Sequence, residues 1–136
     1  MMNGDDHAGR RASDALTMRL AGGPEAAAGA RAALSRLRSD LDAPLVENMR
    51  LLVTELIANS VKHAAAENIA LKVVVGSSAV LVEVADEGPG FEPSGRLEEQ
   101  DQSSGWGLFL VDRLADRWGV ARENRGTRVW FELRRG

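Results

Sequence analysis

The residues from Leu45 to Ala65 form the strongest helical pattern in the chain. Apolar residues recur there every three or four positions and give one wide apolar face: Leu45, Met49, Leu52, Val53, Leu56, Ile57 and Val61. Two short β-branched segments, 69–75 and 80–85, follow across a turn of hairpin length. A helix of this kind must bury its apolar face against another element, so the pattern predicts a helix packed on antiparallel strands.

The rest of the chain extends this prediction to a complete domain. The predicted elements are a strand over 15–20, helices over 25–41, 45–65 and 108–118, a hairpin over 69–85 and a closing hairpin over 120–133. Pro24 is placed to open the first helix, and Asp42 to cap the second. This order predicts an α+β fold, a two-layer sandwich with helices on one face of a mixed, mostly antiparallel sheet.

Composition excludes several classes of function. The chain has 136 residues and no cysteine, which rules out disulfides, thiolate zinc sites and a cysteine nucleophile. A net charge of −3 argues against direct nucleic-acid binding, and no apolar run is long enough for a membrane span. Residues 1–14 are polar and predict a disordered tail without a signal peptide, followed by one domain over 15–136. We therefore expect a cytoplasmic protein.

The long predicted helix also carries a polar stripe. Glu55, Asn59, Lys62 and His63 stand at i, i+4, i+7 and i+8, which places them on one side of the helix. A carboxylate, an amide, an ammonium and an imidazole are the groups that a magnesium–phosphate site uses. On the stripe alone, a solvated helix face is the simpler interpretation.

Two glycine-rich segments flank a long loop. Asp86-Glu87-Gly88-Pro89-Gly90 follows the second strand of the hairpin, and Ser104-Gly105-Trp106-Gly107-Leu108 precedes the third predicted helix. The first segment reads either as a turn or as a close approach of backbone to a ligand. The second exposes backbone N–H groups at a helix start, which suits an anion. Each segment is a weak signal by itself.

Together these segments resemble the GHKL, or Bergerat, ATP-binding fold found in gyrase and histidine kinases. The matching pattern is Glu55-x-x-x-Asn59-x-x-Lys62-His63, then Asp86-x-Gly88-x-Gly90, then Gly105-x-Gly107-Leu108, with Gly126-Thr127 near the end. The resemblance covers about residues 15–133 and implies a Bergerat-type sandwich that binds ATP or ADP with Mg²⁺.

The resemblance also implies a role for each position. Asn59 matches the asparagine that coordinates Mg²⁺, and Glu55 the catalytic acid that activates the attacking water or hydroxyl. Lys62 and His63 match positions over the phosphates and sugar.

At the base end of the site, Asp86 matches the aspartate that binds the amino group of adenine, and Thr127 supports it through water. The remaining matches form the two glycine boxes of the nucleotide site: Gly88 and Gly90 in the first, and Gly105, Gly107 and Leu108 in the second. Residues 91–107 correspond to the lid, which we expect to order when nucleotide binds.

Within the superfamily, the short lid is most similar to bacterial anti-sigma-factor serine kinases. This implies an ATP-binding protein that binds a sigma factor and phosphorylates a serine on a STAS-type anti-anti-sigma protein. The chain departs from those kinases in having Gln102-Ser103-Ser104, with no arginine, beside the second glycine box; Arg96 is the only basic residue of the lid.

Several alternatives stay open at this point. The first is an ATP-binding regulatory module without phosphotransfer. A separate histidine-kinase catalytic domain fits less well, because no upstream helix carries an acceptor histidine. The last alternative is a domain of this fold that has lost nucleotide binding. The sequence does not decide whether the protein is a monomer or a homodimer.

Overall fold

A computed structural model describes residues 13–37, 41–63, 67–87, 106–123 and 126–135. Over these residues the chain forms five strands and three helices. In chain order they are β1 (Ser13–Ala21), α1 (Ala26–Ser35), α2 (Ala43–His63), β2 (Asn68–Val75), β3 (Ala79–Glu87), α3 (Trp106–Leu114), β4 (Arg117–Glu123) and β5 (Gly126–Arg134). The predicted α+β sandwich is confirmed.

The sheet has the order β1-β2-β3-β5-β4. Each pair of neighbouring strands in this described sheet is antiparallel. β5 is inserted between β3 and β4, so the last strand of the chain pairs with the central one. Ala85 on β3 lies opposite Arg128 on β5. The end of β3 and the start of β5 therefore meet at one end of the sheet.

The core lies between one face of the sheet and the helices. Successive strand residues point to opposite faces, so alternate residues of β2, β3 and β5 form a buried row. Val73, Val82 and Phe131 are aligned across these three strands and are fully buried. The helices cover them with buried apolar side chains, among them Ala30, Leu34, Met49, Leu52, Leu56 and Val111. α2 packs against β3 and β5, which fixes its position over the centre of the sheet.

The ends of α1 differ from the prediction. α1 begins at Ala26 with Glu25 as its N-cap, and Pro24 lies in the preceding turn. The helix ends at Ser35 and not at Leu41. The Leu37 N–H donates to the Leu34 carbonyl at 3.0 Å, an i to i−3 bond that tightens the last turn. Asp42 stands at the N-cap of α2, where its carbonyl accepts from the Val46 N–H at 3.0 Å.

Two further boundaries differ from the prediction, because pairing with a distant strand determines the structure of residues whose local sequence predicted something else. The predicted helix to Trp118 is wrong, since α3 ends at Leu114 and Trp118 pairs with Phe131 in the β4–β5 ladder. β1 begins at Ser13, which pairs with Val75, so residues 13 and 14 belong to a strand and not to the predicted tail. Residues 1–12 lie outside the described part of the chain.

A close contact on the sheet face away from the helices gives a stability prediction. The Trp130 indole lies over Gly119, where an added Cβ would come 2.6 Å from the indole Nε1. We expect Gly119→Ala to lower the free energy of unfolding by about 1–3 kcal/mol, because the ring must shift out of its packed position. Chemical denaturation measures this difference.

Gly23→Ala is the matched control for that measurement. A Cβ at Gly23 meets no atom within 4 Å, so we expect a change of less than about 0.5 kcal/mol. Equal destabilisation by the two substitutions would show that the Trp130 contact is not the cause.

Candidate nucleotide site

The polar stripe lies on the C-terminal half of α2, to one side of its buried face. Glu55 and Asn59 are half-buried and Lys62 is exposed. His63 is the last residue of α2, and its side chain is not among those that the structure describes. The helix thus presents a carboxylate, an amide and an ammonium group along the same side, in the order that the spacing predicts.

Asn59 carries a polar atom that the surrounding protein does not satisfy. Its Oδ1 is buried and accepts no hydrogen bond from the described part of the chain. A buried acceptor left in this state costs about 1–3 kcal/mol. An amide oxygen is also a suitable ligand for a hard cation. The atom therefore fits a bound Mg²⁺ ion.

Such an ion would need most of its ligands from elsewhere. Within the described ranges, no three His, Asp or Glu side chains are grouped in a way that holds a metal. Mg²⁺ commonly binds through one or two protein oxygens and completes its shell with waters and phosphate oxygens. The donor set around Asn59 fits a cation delivered with a phosphate ligand, and does not form a cage of its own.

Glu55 has the electrostatic setting of a proton acceptor. Partial burial raises the pKa of its carboxyl group above the ordinary value, and the nearby Lys62 ammonium lowers it. Burial is the larger of the two effects. A carboxylate with a raised pKa takes up a proton more readily near neutral pH than an exposed glutamate does.

Asp86 is buried at the end of β3, with 6% of its surface exposed. The Thr127 N–H of β5 donates to its Oδ1 at 3.2 Å. Burial raises the pKa of the Asp86 carboxyl group, while hydrogen bonds from the Thr127 N–H and the Ser60 hydroxyl lower it. A buried carboxylate has several acceptor positions, so these two donors leave room for the N–H group of a ligand.

Gly126 is required where β5 passes Asp86. A Cβ at this position would overlap the Asp86 carbonyl oxygen and lie 2.9 Å from the Asp86 Oδ1. Only glycine allows the start of β5 to approach this closely. Gly126 thus allows the Thr127 backbone N–H to reach the Asp86 carboxylate. Local sequence patterns do not reveal this contact.

The remaining predicted site residues fall in two groups. Gly107 is the second residue of α3, and Leu108 follows it, half-buried against the core. α3 begins at Trp106, two residues before its predicted start, so Gly107 lies inside the helix. Gly88, Gly90, Gly105 and most of the predicted lid, including Arg96, lie outside the described residues.

Ser60 is the residue that sequence reasoning missed. It directly follows Asn59 in the stripe motif, and its hydroxyl is one of the groups that lower the pKa of Asp86. The available signal was a hydroxyl on the apolar side of α2, three and four residues after the buried Ile57 and Leu56.

Comparison with known families identifies the class of this domain. Residues 20–133 match the family described as the histidine kinase-like ATPase domain. Because the match spans most of the chain, the chain belongs to this family. It is thus an ATP-binding, kinase-like domain of the GHKL type, as the resemblance predicts. A comparison with curated proteins found no match.

None of the helices in the described ranges combines the length and apolar character needed to cross a bilayer.

Proposed function

We propose that the chain binds Mg·ATP between the polar stripe of α2 and the end of β3, and acts as a nucleotide-dependent anti-sigma factor and serine kinase. The observation that carries the binding site is the unsatisfied Oδ1 of Asn59, on the helix that packs against the two strands that hold Asp86 and Thr127. A cation ligand and a buried base-binding carboxylate then lie at the two ends of one site.

The base end of the proposed site consists of Asp86 and Thr127. The Asp86 carboxylate accepts a hydrogen bond from the amino group of adenine. Because burial disfavours the charged form of this carboxylate, an additional hydrogen-bond donor stabilises it. Thr127 is buried beside it and supports the base through water.

The phosphate end consists of the α2 stripe. Asn59 supplies an oxygen to Mg²⁺, whose positive charge neutralises the phosphates when it is bound. Lys62, and His63 at the end of the helix, meet phosphate and sugar oxygens as donors. By the resemblance, the two glycine boxes, Gly88 and Gly90 with Gly105, Gly107 and Leu108, belong to the same nucleotide site.

Glu55 is the proposed general base. The hydroxyl oxygen of a partner serine attacks the terminal phosphorus, the bond to the ADP oxygen breaks, and Glu55 takes the hydroxyl proton. Its pKa, raised by burial, suits that transfer near neutral pH. Positioning and charge neutralisation supply most of the remaining catalysis in phosphoryl transfer.

The regulatory role rests on the family together with the resemblance to anti-sigma-factor kinases. In this proposal the ATP-bound protein binds a sigma factor in the cytoplasm and releases it when a STAS-type antagonist binds, and the kinase step phosphorylates a serine of that antagonist. Transfer of labelled γ-phosphate from ATP to a STAS-domain protein, encoded beside this chain, tests the kinase step. Labelled serine in that protein is the expected result.

ATP binding without phosphotransfer is the second candidate function. It is favoured by the absence of an arginine at Gln102-Ser103-Ser104, where the resembling kinases place a cation beside the terminal phosphate. Saturable ATP binding with no label on the STAS-domain protein would select this candidate over the kinase.

The proposed base contact predicts selectivity for adenine. In guanine, a carbonyl oxygen replaces the amino group, and two acceptors would oppose each other at Asp86. We expect Mg·ATP to bind about 10- to 100-fold more tightly than Mg·GTP, the effect of one unmatched buried polar group. Calorimetric titration of the wild-type protein with each nucleotide measures this ratio.

The variant Asp86→Asn tests whether Asp86 is the cause of this selectivity. Its amide offers a donor as well as an acceptor, so the preference for ATP over GTP should narrow. Equal affinities of the wild-type protein for the two nucleotides would contradict the assignment of Asp86.

A further inference from the structure

The face of the sheet that points away from the helices carries a groove around Trp130. Its volume is about 390 Å³. The strand register places Glu83 and Trp130 on this face together, because they lie opposite each other on β3 and β5. Arg128 and Glu132 stand two positions before and after Trp130 on β5, so they share the face. The residues that line the groove come from three neighbouring strands: Leu81, Glu83, Ala121, Arg128, Trp130 and Glu132.

The Trp130 indole forms one wall of the groove. One side of the ring lies so close to Gly119 that a Cβ there would come within 2.9 Å of three ring atoms. The ring is only partly buried, and its remaining surface borders the groove. The face of an indole attracts cations, and a planar guanidinium also stacks on it. The open part of the ring therefore suits a cationic group.

Two partly exposed carboxylates flank this ring. Glu83 lies 4.0 Å from the Arg128 guanidinium, and Glu132 lies 3.7 Å from that of Arg117. Both distances are longer than a hydrogen bond, and exposed ion pairs of this kind contribute little to stability. The oxygens of both carboxylates therefore have acceptor positions left for the donors of a ligand.

The lining of the groove carries more negative than positive charge. Glu83 and Glu132 contribute two carboxylates, and Arg128 contributes one guanidinium. Leu81 and Ala121 add apolar surface, which suits the methylene stem of a long side chain. An arginine side chain complements this set, because its guanidinium is planar and cationic and donates to carboxylates from a fork of N–H groups.

We propose that this groove binds an arginine side chain of a partner protein, with the guanidinium on the Trp130 indole and its N–H groups donating to Glu83 and Glu132. Asp86 and Thr127 each stand three positions from one of these groove residues along their strands, so they face the opposite side of the sheet. The inference therefore does not depend on the proposed nucleotide site.

A capped Gly-Arg-Gly peptide is the probe for this site. Titrated into the full chain, it should shift the Trp130 indole N–H signal in a ¹H–¹⁵N spectrum, with a dissociation constant on the order of 1 mM. The Asn59 side-chain amide and Thr127 backbone signals should not move. A matched peptide with citrulline, which has the shape of arginine but no charge, should bind at least about fivefold more weakly.

Glu83→Gln and Glu132→Gln test the two carboxylates. Each keeps the size of the side chain and removes one negative charge, so the affinity for the arginine peptide should fall about two- to fivefold. Both side chains are partly exposed, so the fold should tolerate the changes. Glu47→Gln removes an exposed carboxylate on α2 and should leave the affinity unchanged.

A saturable shift at Trp130 that depends on the charge of the peptide and on both carboxylates supports the inference. Equal affinities for the arginine and citrulline peptides would overturn it, as would no shift at Trp130 at peptide concentrations about tenfold above the expected dissociation constant. A Trp130 signal that shifts when the protein is concentrated without peptide would place a second copy of the chain on this face, and would also overturn the assignment to a partner protein.

Discussion

Glu55→Gln should slow phosphoryl transfer by about 10²- to 10⁴-fold, the usual contribution of a positioned general base. The glutamine keeps the size and the hydrogen-bonding shape of the side chain but cannot accept the hydroxyl proton. Because a base acts in the transition state and not in the ground state, the dissociation constant for Mg·ATP should change by less than about threefold. Transfer kinetics, with a parallel nucleotide titration, separate the two quantities.

The control for this prediction lies on the same helix. Glu47 is exposed and pairs with Arg50 at 3.0 Å, two turns before Glu55. Glu47→Gln should leave both transfer and binding at wild-type values. A Glu55→Gln protein that loses binding and transfer in equal measure would identify Glu55 as a structural residue.

Asn59→Ala should weaken Mg·ATP binding by at least about tenfold, because it removes an oxygen that contacts a charged group. The loss should shrink when EDTA removes Mg²⁺, since the amide acts through the cation. Asn59→Asp, which keeps an oxygen at the same position, should retain the dependence on Mg²⁺. Titrations of the wild type and both variants, each with and without the cation, give the six affinities that are needed.

Asn59→Ala should also affect the stability of the fold in a predictable direction. The Asn59 Oδ1 is buried without a partner, so truncation removes no hydrogen bond that the described protein makes there. We therefore expect the denaturation midpoint of Asn59→Ala to equal or exceed that of the wild type. Loss of stability together with loss of binding would indicate that the amide serves the fold. Asn48→Ala, near the start of α2, is the control for asparagine removal.

The elements with strong periodicity were predictable. α2 spans Ala43–His63 against a prediction of 45–65, and β2 and β3 extend the predicted strands by one or two residues. Each of these segments buries one continuous apolar face, so the spacing of its apolar residues shows whether it is a helix or a strand. The end of α3 was not predictable, because the conformation of Trp118 is set by pairing with Phe131, a partner on another strand.

The site residues divide in the same way, into those that local sequence patterns predict and those that a distant strand brings together. The α2 stripe was visible in the sequence because its members are separated by whole helical turns. The contact between Asp86 and Thr127 joins residues 41 positions apart, and only the insertion of β5 beside β3 brings them together. Their association was predicted through the family resemblance and not from local chemistry. Ser60 was missed by both approaches, since the signal for it is a single serine on an apolar helix face and not a repeated pattern.

The central claim is that nucleotide binds between the α2 stripe and the end of β3. An amide ¹H–¹⁵N correlation spectrum recorded during titration with Mg·ATP tests it most directly. Two reporters lie in the proposed site: the Asn59 side-chain amide and the Thr127 backbone N–H that donates to Asp86. The Trp130 indole N–H is the internal reference, since Trp130 alternates with the buried Phe131 and faces the other side of the sheet.

We predict that the Asn59 and Thr127 signals shift and saturate together as Mg·ATP is added, while the Trp130 indole signal stays in place. Shifts centred on Trp130, or no shift at Asn59 and Thr127 at saturating nucleotide, would contradict the proposed site.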